Sequence, residues 1–540
     1  MRAFDYIIVG AGSAGCVVAS RLTEDPEVSV LLLEAGGGDR HPLLRMPIVW
    51  PLAAIKPSFN WGYSSEPEPH LNGRRIPLPR GKMLGGSSGI NAVGYRRGHR
   101  LDYDGWRDRG LPGWGYADVL PYFKRSERSW RGEGPYHGAD GPMSIVPGDA
   151  PQLLWEPLRQ AVRAAGYPDT ADIHGDVTEG LACNELTIDR FGRRQSTARS
   201  FLKPAMRRSN LTVVKRAFAT RVMVADRRAS GVEYEVGGRV VQAAANREVI
   251  LCGGAYNSPQ LLMLSGIGPA DQLSALDIPV TVDLPGVGRN LMEHPLVPVI
   301  MEAAQPITLL RHLRLDRAAW WTLRWLVGAG GLYATAGLTG ALFLRSHPEL
   351  KQPDLQLICS SIHRDARPWL PGRIGAQKHI FQCAISLLHP ESSGSVTLRS
   401  ADPHDKVRIR LNLFAEPADI DTAIRGIRRA RELYAQPPMR GLIRKEMIPG
   451  AAAQTDADLA AHVWRSAATT QHAAGTCRMG TDGLAVVDAE LKVHGIDGLR
   501  VVDASVMPTM PGGNINAPVI MIAEKASDMI RRRRLPAADI

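Results

Sequence analysis

Paired cysteines are missing from this sequence. Its six cysteines, Cys16, Cys183, Cys252, Cys359, Cys383 and Cys477, are scattered through 540 residues with no CxxC spacing. This spacing suits reduced thiols better than a disulfide framework or a zinc site, so free cysteines and no metal are expected. No apolar run approaches the roughly 20 residues that span a bilayer. The N-terminus, MRAFDYIIVGAG, runs straight into a strand-like segment, where a cleaved leader would place a basic and then an apolar region. Repeats and low-complexity tracts are absent apart from the arginine run 531–534, whose expected role is to solvate a helix end and offset its negative pole. The net charge of +11 is dispersed and comes without a recognition motif, so nucleic acid is not an expected partner. A cytoplasmic protein is expected, with a peripheral position at the inner membrane as an option. The composition, 44% hydrophobic and 22% charged, is that of a globular chain, and the length implies two or more domains around a large core.

The first motif lies at the start. FDYIIV at 4–9 reads as a buried strand, GAGSAG at 10–15 gives GxGxxG, a helical pattern follows, and VSVLLL at 28–33 reads as a second strand ending at Glu34. In such a βαβ unit Gly10 permits the tight turn, Gly12 lets the backbone approach a pyrophosphate and Gly15 lets helix and strand pack closely. The helix N-terminus supplies free N–H groups to the phosphates. Ser13 and Ala14 open that helix, and Glu34, followed by Ala35, can accept bonds from ribose hydroxyls. These features indicate an adenine dinucleotide without separating NAD from FAD.

Two further glycine-rich segments follow, RGKMLGGSSGIN at 80–91 and GGAYNSPQLLMLSGIG at 253–268. They resemble the two signature patterns of the glucose–methanol–choline (GMC) oxidoreductases, a flavoprotein family. PGVGRNLMEHP at 285–295, HAAGTCRMG at 472–480 and VVDASVMPTMPGGNINAPVIMIAEKASDMI at 501–530 extend the resemblance in the family's order, nearest to its choline-dehydrogenase-like and alcohol-dehydrogenase-like members. The resemblance implies FAD, with Met83, Leu84, Gly85, Asn91 and Val93 bordering the flavin, Ala219 meeting the adenine through its main chain, and Asp503 and Ala504 near the ribityl and pyrophosphate groups. Some members carry a histidine at position 91 that bonds covalently to the flavin. Asn91 cannot make that bond, so non-covalent FAD is expected. Asn516 is expected to N-cap a closing helix that includes Ala517 and Pro518, its positive end toward the flavin.

Alcohol oxidation needs a hydride acceptor and a proton acceptor. A lone histidine among small residues, such as His472 beside Ala473, Ala474 and Gly475, has a proton affinity suited to the second task. The resemblance makes His472 the catalytic base and Asn514 its partner in orienting the hydroxyl. His294 and His389 read as structural. The expected reaction is oxidation of a primary alcohol to the aldehyde, with oxygen or a quinone as electron acceptor. A lyase or photoenzyme on the same scaffold is the alternative.

The implied fold is mixed α/β: a Rossmann-like FAD-binding domain from 1–150, 205–300 and 465–540, and a cap of β-sheet plus helices from 151–204 and 301–464 that binds substrate. Within 306–345, arginines alternate with leucines and tryptophans in a basic amphipathic helical pattern. It reads first as a lid with snorkelling arginines and second, through 306–330, as a peripheral membrane contact. Several choline-using relatives place a glutamate where Thr339 falls here, so a neutral primary alcohol is expected ahead of choline.

Overall fold

A computed structural model of the chain describes residues 2–148, 153–363, 365–373 and 377–540; the expected boundary at 150/151 lies outside them. The apolar run at the start forms the strand Arg2–Val9, fully flanked in its sheet, which is why it carries no polar alternation. It pairs in parallel with Val30–Glu34 on one side and with the long strand Arg239–Leu251 on the other. Leu211–Lys215 and Leu499–Val501 extend the parallel core at its two sides, and Ala217–Ala225 and Arg228–Val236 add an antiparallel ribbon. The helices Ser13–Leu22 and Asn516–Ile530 pack against each other beside this sheet. Distant parts of the chain therefore complete one dinucleotide-binding layer.

The second sheet is antiparallel throughout. Its order is Ile443–Ile448, Pro295–Ala303, Ile380–Leu387, Leu355–Ser360, Leu338–Leu344 and Gly180–Ala182, with Ala468–Thr469 also paired to Pro295–Ala303. The 19-residue helix Pro417–Ala435 packs on Ile380–Leu387 through Ala423, Ile424, Ile427 and Ala430. The strand Pro295–Ala303 crosses the expected boundary at 300, so it joins the NLMEHP segment directly to this second sheet. Ala468–Thr469 brings the following residues, up to His472, to the same seam.

Candidate active site

The dinucleotide loop has the geometry its glycines imply. Gly10 has φ +101°, and a Cβ on Gly15 would lie 1.9 Å from the Gly10 carbonyl oxygen, so neither position accepts a side chain. Gly12 has open space beside it, with the nearest atom 3.8 Å from an added Cβ. The second glycine loop is bonded to the first: the Gly85 N–H donates to Ala11 O at 2.7 Å and the Leu84 N–H to Gly37 O at 3.0 Å. Met83 and Leu84 are buried beneath this contact.

Two helix N-termini converge beside the loop. Neither Ser13–Leu22 nor Asn516–Ile530 has a side-chain cap, so both leave N–H groups and a positive pole free for an anion. Ser13 Oγ donates to Asn516 Oδ1 at 2.7 Å and joins the two ends. Asn516 is thus not the N-cap expected from sequence; Ile515 holds that position, and the Asn516 side chain is taken by Ser13. Ala517 is buried one residue further on. The uncapped N–H groups and the uncrowded Gly12 fit a pyrophosphate.

Glu34 is buried, and its carboxylate accepts from the Ala11 N–H at 3.0 Å and the Gly36 N–H at 2.7 Å. Burial raises its pKa against the lowering effect of those two amides. Each oxygen retains a lone pair for a hydroxyl donor. Ala35 and Ala219 are half-buried, Ala35 next to that carboxylate and Ala219 on the strand Ala217–Ala225. Asp503 accepts from the Gly254 N–H at 2.8 Å, Ser258 Oγ at 2.6 Å and the Ser505 N–H at 2.8 Å. It therefore clamps the start of the helix Gly254–Leu264 to the 3₁₀ turn that begins at Ala504.

Asn91 Oδ1 accepts from Arg194 Nη1 at 2.6 Å and from the Val93 N–H at 3.1 Å, which turns its NH₂ group away from both. Sequence reasoning did not single out Arg194. It is fully buried, with no carboxylate on it among the described residues, and burial lowers its pKa to about 9.

The histidine cluster lies at the seam of the two sheets. His472 Nδ1 is 2.9 Å from His294 Nδ1 and 2.8 Å from Thr470 Oγ1, while His472 Nε2 is 3.3 Å from Asn514 Nδ2. His294 Nε2 is 3.0 Å from the Leu388 carbonyl, which can only accept, so this nitrogen carries the proton. Burial, and then the neighbouring His472, push the His294 pKa well down, so the ring is neutral and its Nδ1 is bare. The short Nδ1–Nδ1 contact then requires the proton to sit on His472 Nδ1. His472 Nε2 is left unprotonated, and its lone pair accepts from the Asn514 Nδ2–H at 3.3 Å. Burial, with a smaller push from Arg80, lowers His472 to about 3 and keeps it neutral.

Glu293 supports this arrangement from behind. Its carboxylate accepts from the backbone N–H groups of His472 and His294 and pairs with Arg80 at 3.5 Å. Arg80 also donates to the Gln471 carbonyl at 2.6 Å. Burial raises Glu293 to about 7 in spite of Arg80. The structure thus brings together His472 and Asn514, as expected, and adds His294, which sequence reasoning had set aside as structural. His389 stands apart, 3.0 Å from Gln352 Nε2 and next to Gly512. Thr339 is buried on the strand Leu338–Leu344. No group of side chains suited to a metal occurs among the described residues.

A Rossmann-type layer with two converging helix ends, joined to an antiparallel sheet across a histidine–asparagine pair, defines a dinucleotide-dependent oxidoreductase. The chain belongs to the GMC oxidoreductase family, whose N-terminal and C-terminal profiles match residues 4–296 and 390–523. It is 43% identical over 532 residues to an oxygen-dependent choline dehydrogenase of Sinorhizobium fredii, covering 97% of this chain and 95% of that one. A Burkholderia thailandensis protein of the same name is 44% identical over 546 residues, covering 99% and 94%. Among solved structures, pyridoxine 4-oxidase from Mesorbium loti superposes with a TM-score of 0.88 at 30% identity, covering 98% of this chain and all of that one. A formate oxidase gives 0.91 at 30% identity with 98% coverage of both. The chain is accordingly an FAD-dependent oxidoreductase acting on the CH–OH group of its donor, and these relatives lend no support to the lyase or photoenzyme alternative.

Proposed function

We propose that the protein oxidises a primary alcohol to the aldehyde, with His472 Nε2 accepting the hydroxyl proton and Asn514 orienting the hydroxyl. The observation that carries this reading is the hydrogen-bond chain from Leu388 O through His294 to His472, which leaves an unprotonated imidazole nitrogen that accepts from the Asn514 amide, the contact a substrate hydroxyl would replace. FAD supplies a two-electron hydride acceptor. The residues fitted to hold it are Gly10, Gly12, Ser13, Ala14 and Gly15 at the pyrophosphate, Glu34 and Ala35 at the adenosine ribose, and Ala219 at the adenine. Met83, Leu84, Gly85, Asn91 and Val93 border the ring; Asp503, Ala504, Asn516 and Ala517 complete the cradle. The FAD is non-covalent, because an amide locked by Arg194 and Val93 has no nucleophilic nitrogen. Oxygen or a quinone takes the electrons onward, and the relatives' printed name favours oxygen.

The substrate proposed is a neutral primary alcohol. A second reading, choline, is favoured by the printed name of relatives 43–44% identical to this chain. Anaerobic mixing of the yellow protein with choline, an aliphatic and an aromatic primary alcohol separates the two. The alcohol that bleaches the flavin is the substrate class, and a flavin unmoved by all three contradicts the proposal. Peroxide and dye-reduction assays then assign the acceptor.

The proposal includes peripheral membrane contact through 306–330. The helix Leu315–Leu326 packs inward through Trp321 and Trp325 and leaves Trp320, Leu323, Leu326 and, just past its end, Val327 exposed. Those outward apolar groups, with the exposed Arg317 on the same helix, favour a bilayer surface over the lid reading. No helix among the described residues is long and apolar enough to cross a membrane. Co-sedimentation with anionic vesicles, lost in Leu323→Glu/Val327→Glu, is expected; no sedimentation of the wild-type protein contradicts it.

A further inference from the structure

A large cleft lies on the dinucleotide-binding layer, outside the cradle and the histidine cluster. It encloses about 1620 Å³ and is lined by ten lysine and arginine side chains against five carboxylates. Four separate parts of the chain supply the cations: the hairpin at Arg227 and Arg228, Arg247 on the strand Arg239–Leu251, the segment from Lys492 to Arg500, and the C-terminal helix with Lys525 and the arginine run that follows it. The run was expected only to solvate that helix end. Arg531 does pair with Glu24 and Arg534 with Asp118, but the exposed side chains of Arg532 and Arg533 make no ion pair among the described residues. Arg227 is likewise exposed and unpaired. Glu248 and Glu490, among the lining carboxylates, are engaged by Arg500 and Lys492.

Lys525 is the second, independent observation. It is 3% exposed, lines the cleft, and makes no hydrogen bond or ion pair among the described residues. Its ammonium is held only by ring faces, 5.4 Å from the centroid of Trp114 and 5.1 Å from that of Tyr122. Lys525 and Arg534 both border Gly113: an added Cβ there would lie 3.7 Å from Lys525 Nζ and 3.5 Å from Arg534 Nη2. Burial lowers Lys525 to about 8; Asp118 and Asp528 oppose this at longer range and Arg534 adds to it. A buried cation with no carboxylate or hydrogen-bond acceptor on it is costly unless an anion completes the site.

We propose that this cleft binds an anion carrying two or more phosphate groups, with Lys525 at its floor and Arg227, Arg532 and Arg533 at its rim. Cations supplied by separate segments around one cleft suit a chain of two or three phosphates, each group meeting its own cation, better than a single phosphate. The same chemistry is offered by a free polyphosphate or by clustered lipid headgroups, and the test separates them.

The test is isothermal titration of the FAD-loaded full chain with inorganic tripolyphosphate, beside sedimentation with vesicles rich in a phosphoinositide. The reference protein is Leu323→Glu/Val327→Glu, so that the apolar helix contributes nothing to vesicle binding. Saturable tripolyphosphate binding, weakened at least about tenfold in Arg532→Glu/Arg533→Glu and by added salt, supports a free polyphosphate ligand. Vesicle binding alone, lost in the same arginine variant, supports the headgroup source. Lys525→Met, which keeps the stem over the two rings, is expected to weaken whichever binding occurs while its melting temperature stays near that of the parent. Absence of both bindings, or binding unchanged in the arginine variant, overturns the proposal. Since the readout is binding rather than turnover, failure here leaves the alcohol-oxidation reading untouched.

Discussion

His294 and His472 meet Nδ1 to Nδ1 at 2.9 Å, although 178 residues separate them in the chain. Two nitrogens of the same kind make a hydrogen bond only if one carries the proton. The Leu388 carbonyl decides which, because it fixes the His294 proton on Nε2.

The first prediction concerns that assignment. His294→Leu removes the acceptor for the His472 Nδ1–H and should lower the rate of flavin reduction by about 10²-fold or more with FAD content unchanged. His294→Asn offers a carbonyl oxygen in its place and should recover most of that loss. Equal defects in the two variants, measured by anaerobic stopped flow, would show that His294 serves packing alone.

The second concerns the glycine loop. Gly12→Ala introduces a methyl group with nothing but Cys252 O at 3.8 Å, so the chain should fold normally and lose FAD. Gly15→Ala places a methyl group 1.9 Å from Gly10 O and should cost more than about 4 kcal/mol of stability. Circular dichroism with flavin absorbance distinguishes a folded colourless protein from an unfolded one. A yellow Gly12→Ala protein would contradict the pyrophosphate assignment.

Much of this site could be read from the sequence because its chemistry is local. GxGxxG followed by a strand ending in an acid is one continuous βαβ unit, and the strands Arg2–Val9 and Val30–Glu34 lie where the apolar runs put them. Contacts between distant segments were hidden. Asn516 looks like a cap from its neighbours, yet its oxygen is claimed by Ser13, 503 residues away. His294 looks structural inside NLMEHP, because nothing near it in sequence reveals that Pro295–Ala303 and Ala468–Thr469 pair and draw it against His472. Arg194 gave no signal, since in RFGRRQS nothing separates a buried guanidinium that meets Asn91 from a surface arginine.

A third prediction follows from Glu293, which burial raises to about 7. The unfolded value is near 4.3, so folding takes up a proton between the two. The contribution of this group to stability is complete below the unfolded value and is lost as pH rises through the folded one. Glu293→Gln stays neutral, so its stability relative to wild type should rise between about pH 5 and about pH 8, by on the order of 3 kcal/mol. A difference in melting temperature that stays constant with pH would refute the raised carboxyl.

The fourth concerns flavin attachment. Acid precipitation of the purified protein should release all of the yellow chromophore into the supernatant, because Asn91 offers no bonding nitrogen. Colour retained in the washed pellet would contradict non-covalent binding.

The proton acceptor is the centre of the account, and His472→Ala tests it most directly. With FAD bound to the wild-type level, anaerobic mixing with the substrate alcohol should reduce the flavin at least about 10²-fold more slowly than in wild type. Reduction at the wild-type rate would mean that the proton leaves by another route and that the unprotonated Nε2 has no part in it.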